Sequence, residues 1–204
     1  MRSTRAVIFD VGNVLYDWDI RLIFTELVPA HELDVFLRDV LTMEWHAQHD
    51  AGRPFADTSA ELIAQQPRYA EAIASFGPRF AETIPGMLPG MEKIVRDLHT
   101  AGVPLYAITN FSHEFWAPFR IREAEIFDLF EDIVVSGEER LVKPDPAIYR
   151  LALDRFGLES GEVFFIDDRA DNVAAAQAVG IPSYHFRDAP TLRTMLGRMA
   201  LLAG

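Results

Sequence analysis

Ala6-Val7-Ile8-Phe9-Asp10-Val11-Gly12-Asn13-Val14 is the stretch on which the fold of this chain turns. Its first residues are an unbroken apolar run, rich in β-branched and aromatic types. That is the pattern of a strand buried on both faces of a parallel sheet. The run stops at a carboxylate, Asp10, and Gly12 and Asn13 follow closely. Open α/β sheets hold their ligands at the carboxyl ends of the strands, so an anion there is a candidate functional group. Gly12 lets the backbone turn sharply, and Asn13 tolerates unusual φ/ψ. Taken alone, the same residues also describe an ordinary strand ending in an Asp turn, and the rest of the chain has to decide.

Beyond Asp10 the rhythm changes. Ile20, Ile23, Phe24 and Leu27, then Leu33, Phe36, Leu37, Val40 and Leu41, recur at three-to-four spacing. This predicts helices near 19–28, 31–50, 57–66 and 68–84, with breaks at Pro29, Asp50 to Pro54, Pro67 and Pro85-Gly86. From Pro89 onward helical patterns alternate with strands expected at Val103 to Thr109, about 131–135, Val163 to Ile166 and about 182–186. Such alternation predicts an α/β fold with a doubly wound parallel sheet, interrupted after its first strand by a helical insertion.

Composition narrows the partners. The chain has 204 residues, enough for a substantial core. Its 19 basic and 31 acidic residues give a net charge of −12, which argues against nucleic acid or an anionic membrane as a partner. An anionic substrate then needs a locally positive site or a bound cation. No apolar run is long enough to span a bilayer and no signal-peptide pattern opens the chain, so the expected location is cytoplasmic. The absence of cysteine removes thiolate chemistry and Cys-ligated metals. Nothing in the sequence addresses the oligomeric state.

Polar groups follow several of the expected strands. Asp10 follows the first, and Thr109-Asn110 closes the strand beginning at Val103. Lys143 comes after the strand near 131–135, and Asp167-Asp168 follows Val163 to Ile166. Each has a mundane reading as a turn, a cap or a solvated lysine. Together they converge on one sheet edge, and the combination is coherent as phosphoryl chemistry. A carboxylate can act as nucleophile, provided that its repulsion from a phosphate is removed. Mg²⁺ held by hard oxygen ligands does this, and Asp10 with Asp167 or Asp168 can supply the carboxylates. Lys143 adds positive charge, while the Thr109 hydroxyl and Asn110 amide can donate to phosphoryl oxygens.

At this point the chain resembles the haloacid dehalogenase (HAD) superfamily of hydrolases. The matching segments are Val-Ile-Phe-Asp-Val-Gly-Asn-Val-Leu, Ala-Ile-Thr-Asn-Phe-Ser, Val-Lys-Pro-Asp-Pro-Ala-Ile-Tyr and Phe-Phe-Ile-Asp-Asp-Arg-Ala-Asp-Asn. The resemblance implies a Rossmann-like core, here 1–16 and 86–204, with a helical cap over 17–85. It implies Asp10 as nucleophile, Thr109 and Asn110 as phosphate-holding groups, and Lys143 as the third-motif lysine. Asp168 is then the principal second metal carboxylate, with Asp167 beside it and Asn172 further out.

The pattern departs from the family at Gly12, where phosphatases of this superfamily usually carry a second Asp as general acid and base. General acid–base help is worth about 10² to 10⁴-fold, so turnover is expected to slow unless another group substitutes. Asp17, His46, His49, His113 or a substrate-bound water are the candidates, and an Asp introduced at position 12 is expected to leave the sheet intact, its backbone angles deciding whether turnover gains. The variant motif, with Asp17-Trp18-Asp19 nearby, is similar to a subgroup near glucose-1-phosphate phosphatases. The reading is a Mg²⁺-dependent phosphomonoester hydrolase acting on a small phosphorylated molecule, with sugar phosphates as one candidate class. A 2-haloacid dehalogenase is the alternative, and a HAD-fold binding or regulatory protein is the other. The Asp pair weighs against the dehalogenase, because two uncompensated charges would face a carboxylate substrate. In the inserted segment Arg53 is a candidate contact for a substrate anion. His46 and His49 are expected to share a helix face. Phe115 and Trp116 are read as packing between helix and sheet.

Overall fold

The computed structural model describes residues 4–202; residues 1–3 and 203–204, the ends of the expected core, lie outside the described part. Ala6–Phe9 forms β1, with every residue fully buried. The other strands are β2 (Leu105–Thr109), β3 (Asp132–Val135), β4 (Val163–Asp167) and β5 (Ser183–His185). They make one parallel sheet in the order β3-β2-β1-β4-β5, with β1 at its centre. Register decides what meets at the carboxyl edge. Phe9 lies opposite Ala107 on one side and Ile166 on the other. Asp10 therefore emerges between the ends of β2 and β4, and its N–H still donates to the Ile166 carbonyl at 2.8 Å.

The two faces of β1 feed two apolar layers, as its uninterrupted hydrophobicity predicts. Val7 and Phe9 pack with Ile94, Leu98 and Leu192, from α5 (Met91–Thr100) and α11 (Ala189–Arg198). Ala6 and Ile8 pack with Ile148, Ala152 and Ala176, from α9 (Pro146–Phe156) and α10 (Ala170–Ala178). Three further helices complete this part: α6 (His113–Arg122), α7 (Ala124–Phe127) and α8 (Ser136–Glu139).

Between β1 and α5 lies the helical insert, with α1 (Leu33–Asp39), α2 (Met43–Asp50), α3 (Phe55–Gln65) and α4 (Ala70–Arg79). The stretch expected as one helix over 31–50 is two, because Thr42 takes an extended conformation and its hydroxyl caps α2 by accepting from the Trp45 N–H at 3.1 Å. The helix expected at 19–28 shrinks to a single 3₁₀ turn, Ile20–Ile23, capped by Asp19. A competing side-chain bond to the backbone accounts for the break at Thr42. Among the described residues no helix is long and apolar enough to cross a membrane.

Candidate active site

The strand ends bring together an ion cluster. The Lys143 ammonium sits 2.8 Å from Asp10 Oδ1 and 2.7 Å from Asp167 Oδ2, and all three side chains are buried. Asp10 Oδ1 also accepts from the Val11 N–H at 2.7 Å. Asp167 is tied down further: the Arg169 N–H donates to its Oδ1 at 2.8 Å, and Asn172 Nδ2 reaches both its oxygens at 3.0 and 3.1 Å. Lys143 owes its place to Asn110. The Asn110 amide donates to the Lys143 carbonyl at 2.9 Å and accepts from the Lys143 N–H at 2.8 Å.

Electrostatics follow from burial. Burial raises the Asp10 carboxyl well above the usual carboxylate range; Lys143 opposes this, while Asp167 and Asp168 add to it. Burial also raises Asp168, again with Asp167 adding to it. For Lys143 burial disfavours the ammonium, but Asp10 and Asp167 more than offset it and keep the lysine charged. One lysine faces three carboxylates, so the cluster carries surplus negative charge.

That surplus suits a hard cation. Asp10, Asp167 and Asp168 each offer an oxygen, and these oxygens lie within 4.8 Å of one another. Asn172 Oδ1, beside them, is buried and has no hydrogen-bond partner among the described residues, which is costly unless a water or ion meets it. An all-oxygen set of this charge fits Mg²⁺ better than a softer metal.

A cavity of about 230 Å³ opens onto the cluster. Asp10, Gly12, Asn110, Lys143, Asp168 and Asn172 line its sheet side; Trp18, Met43, His46, Asp50 and Phe80 line it from the residues between β1 and α5. Phe111, after β2, also faces it. His46 is held between rings, stacked on Trp18 at 5.2 Å and parallel to Phe80 at 6.1 Å. Its Nε2 lies 3.7 Å from Asp50 Oδ2. Burial holds the His46 imidazole down to about 4, and pushes the Asp50 carboxyl up to about 7 against the pull of Lys143.

Of the expected site residues, Asp10, Asn110, Lys143 and Asp168 meet at the cavity. Asp167 stands just beneath, fully buried. Thr109 closes β2, buried and outside the cavity lining. Asn110 spends one amide hydrogen on the Lys143 carbonyl, so it positions the lysine and keeps only its second hydrogen for any other acceptor. Arg53 is not brought to the site. Its guanidinium pairs with Glu61 at 2.7 Å and bonds to Gln48, because α3 turns back beside α2 and the two helices offer one acceptor each.

The substitutes considered for Gly12 also separate. His46 lines the cavity, whereas His49 is buried within the insert with Nε2 2.6 Å from Thr58 Oγ1. Asp17 is exposed, and neither it nor His113 lines the cavity. Phe115 stacks on Phe80 at 4.5 Å, so its ring joins insert to core where packing of helix on sheet was expected. Position 12 has room for a side chain: a Cβ there would meet nothing within 4 Å among the described residues, and the positive φ, 57°, belongs to Asn13. Trp18, Met43, Phe80, Phe111 and Asp50 were not legible as cavity residues. Their sequence spacing marks only core, rim or turn.

The fold is that of a hydrolase family. A model of the haloacid dehalogenase-like hydrolases matches residues 4–180, and the chain belongs to that family. The chain is 29% identical over 189 residues to the sesquiterpene phosphatase astK of Aspergillus oryzae, covering 90% of each. It is 28% identical over 193 residues to the phosphoglycolate phosphatase of Yersinia pseudotuberculosis, covering 89% of this chain and 80% of that one. Among solved structures, the HAD family enzyme bt-2542 of Bacteroides thetaiotaomicron, in complex with magnesium and inorganic phosphate, superposes with a TM-score of 0.67 at 20% identity, covering 91% and 96%.

Proposed function

We propose that this protein is a Mg²⁺-dependent phosphomonoesterase that works through an aspartyl-phosphate on Asp10. The observation that carries the reading is the Asp10–Lys143–Asp167 cluster with Asp168 beside it, a nucleophile-capable carboxylate flanked by one fixed cation and room for another. Asp10, Asp168 and Asp167 would hold the metal. When bound, Mg²⁺ supplies the positive charge that lets a phosphate dianion approach a carboxylate.

The residues of the chain do the rest. Val11 N–H and Lys143 fix one Asp10 oxygen, leaving Oδ2 to attack phosphorus. Lys143 neutralises charge that grows on the transferring group. Asn110 and Asn172 hold the lysine and Asp167 in place. Residues 17–85 act as a cap that keeps water from the cavity through its aromatic wall. The names of the two phosphatase relatives support the same class. The dehalogenase reading gains nothing here, since a haloacid would bring a second carboxylate to a cluster already rich in them.

The substrate is a small phosphate ester. Trp18, Met43, Phe80 and Phe111 offer apolar surface to its organic part. Sugar hydroxyls set against that surface would lose hydrogen bonds to water. An ester with a short alkyl or prenyl group is therefore favoured over a sugar phosphate.

The test is hydrolysis of an aryl phosphate by the purified protein with and without Mg²⁺, beside Asp10→Asn. Activity that needs both is expected, and Asp10→Asn should lose at least about a thousandfold while melting like the parent. A variant that keeps most of its activity, or halide release from a 2-haloacid in place of phosphate release, overturns the reading. Geranyl phosphate is expected to give a higher kcat/KM than glucose 1-phosphate.

A further inference from the structure

An alkoxide is a poor leaving group, so cleavage of an alkyl phosphate needs a proton delivered to the ester oxygen. The side chains around the cavity leave few donors. Gly12 has none, and the asparagines and the guanidinium of Arg169 hold their protons too tightly. Asp10 is the attacking group. The Lys143 ammonium is locked between two carboxylates at 2.8 and 2.7 Å. Asp168 belongs to the cation set. His46 faces the cavity, but at neutral pH its buried ring carries no proton to spare beyond its neutral form.

Asp50 remains. It is the last residue of α2, buried, and it lines the same cavity as Asp10 and Lys143. It is also held with unusual firmness for a residue of the insert. Ser136 Oγ, at the start of α8, donates to the Asp50 carbonyl at 2.6 Å and accepts from the Phe111 N–H at 2.9 Å. Phe111 follows Asn110, whose amide fixes Lys143. One short loop after β2 thus sets both the lysine of the core and the carboxylate of the insert. Backbone packing reinforces the join: a Cβ on Gly52 would come within 2.8 Å of the Gly137 carbonyl, and one on Gly137 within 2.6 Å of the His113 N. Only glycines allow so close an approach.

We infer that Asp50 is the general acid and base of this enzyme, presented by the insert across the cavity from the nucleophile. The inference rests on the phosphomonoesterase reading and deepens it. In the first step Asp10 Oδ2 bonds to phosphorus as the P–O ester bond breaks, and the Asp50 carboxyl proton passes to the departing oxygen, giving the alcohol. In the second step the Asp50 carboxylate takes a proton from water, whose oxygen bonds to phosphorus as the Asp10–phosphorus bond breaks. Phosphate leaves, and both aspartates return to their starting states. Burial favours the protonated form that the first step requires, with a carboxyl titrating at about 7. The charged and titratable groups around it are Lys143 from the core and His46 from its own helix.

The test is the leaving-group dependence of Asp50→Asn, measured with Mg²⁺ on an alkyl phosphate and on 2,4-dinitrophenyl phosphate, whose phenolate leaves without a proton. kcat/KM reports steps through departure of the leaving group. For the alkyl ester it should fall by roughly a hundredfold or more, and for the dinitrophenyl ester by less than about threefold. With the activated ester, phosphoenzyme should accumulate, because the second step has lost its base. Adding Gly12→Asp, whose side chain has open space, should restore at least about a tenth of the alkyl-ester rate. Equal losses on both esters would show a merely structural role and overturn the inference, as would an unchanged rate on the alkyl ester. In either case Mg²⁺- and Asp10-dependent hydrolysis by the parent protein would leave the phosphomonoesterase reading standing.

Discussion

The two sides of the cavity are built on opposite plans. On the sheet side the polar groups are placed by strand register and backbone bonds, and the charged atoms lie within hydrogen-bond distance of one another. On the insert side rings dominate, and the polar atoms are loosely paired: His46 Nδ1 has no partner, and Nε2 stands 3.7 Å from Asp50. The tight side is suited to a reaction that recurs across substrates, since a strand end cannot move without moving the sheet. The ring-lined side is suited to selectivity, since apolar walls are changed by swapping one side chain. Asp50 is the exception, an insert residue fastened to the core.

The largest expected effect after loss of Asp10 lies on the tight side. Lys143→Met leaves Asp10 and Asp167 buried without their counter-charge. That should cost about 3–5 kcal/mol of stability and at least about a hundredfold in kcat. Denaturant melts and steady-state rates read the two separately, and a variant as stable as the parent would contradict the cluster's electrostatics. Ser136→Ala cuts the fastening between the sides. It strands the Phe111 N–H and the Asp50 carbonyl, at about 1–3 kcal/mol, and should lower the alkyl-ester rate more than the dinitrophenyl rate.

A smaller effect isolates the insert. Burial holds His49 at about 4, against an ordinary 6.5. Between those values the unfolded chain binds the proton and the folded chain does not, so stability falls as pH drops through that window. The parent should therefore lose more stability than His49→Gln from pH 6.5 to 4, the opposite contribution of Asp50 being common to both. Equal slopes in pH-dependent denaturation would show that His49 is not held neutral. The smallest effect belongs to Arg53→Ala. Its partners are Glu61 and Gln48, so stability should change by no more than about 0.5 kcal/mol and KM not at all.

The sheet and its ion cluster were largely legible in the sequence because both are local patterns. An apolar run that ends in a carboxylate, such as Val163 to Asp167, declares strand and site together. Asp10 and Asp168 were found that way, and Lys143 by its place after β3 in the Val-Lys-Pro-Asp-Pro segment. The insert resisted for a physical reason. A helix face shows which residues are apolar, but not which neighbour they meet. Arg53 looked free because Glu61 lies on the next helix, and Asp50 looked like turn because the hydroxyl that holds its carbonyl, Ser136, is distant in sequence. Asn110 was placed in the right spot, yet its bond to the main chain of Lys143 could not be read from spacing.

The Ser136 hydroxyl has a dynamic consequence. The Phe111 amide hydrogen is hidden behind it, on a loop with no regular secondary structure to protect it. That hydrogen exchanges when its bond to the Ser136 hydroxyl, made within the core, opens. Its exchange with deuterium therefore reports the free energy with which the loop after β2 lets go of α8, the contact on which the fastening of the Asp50 carbonyl depends.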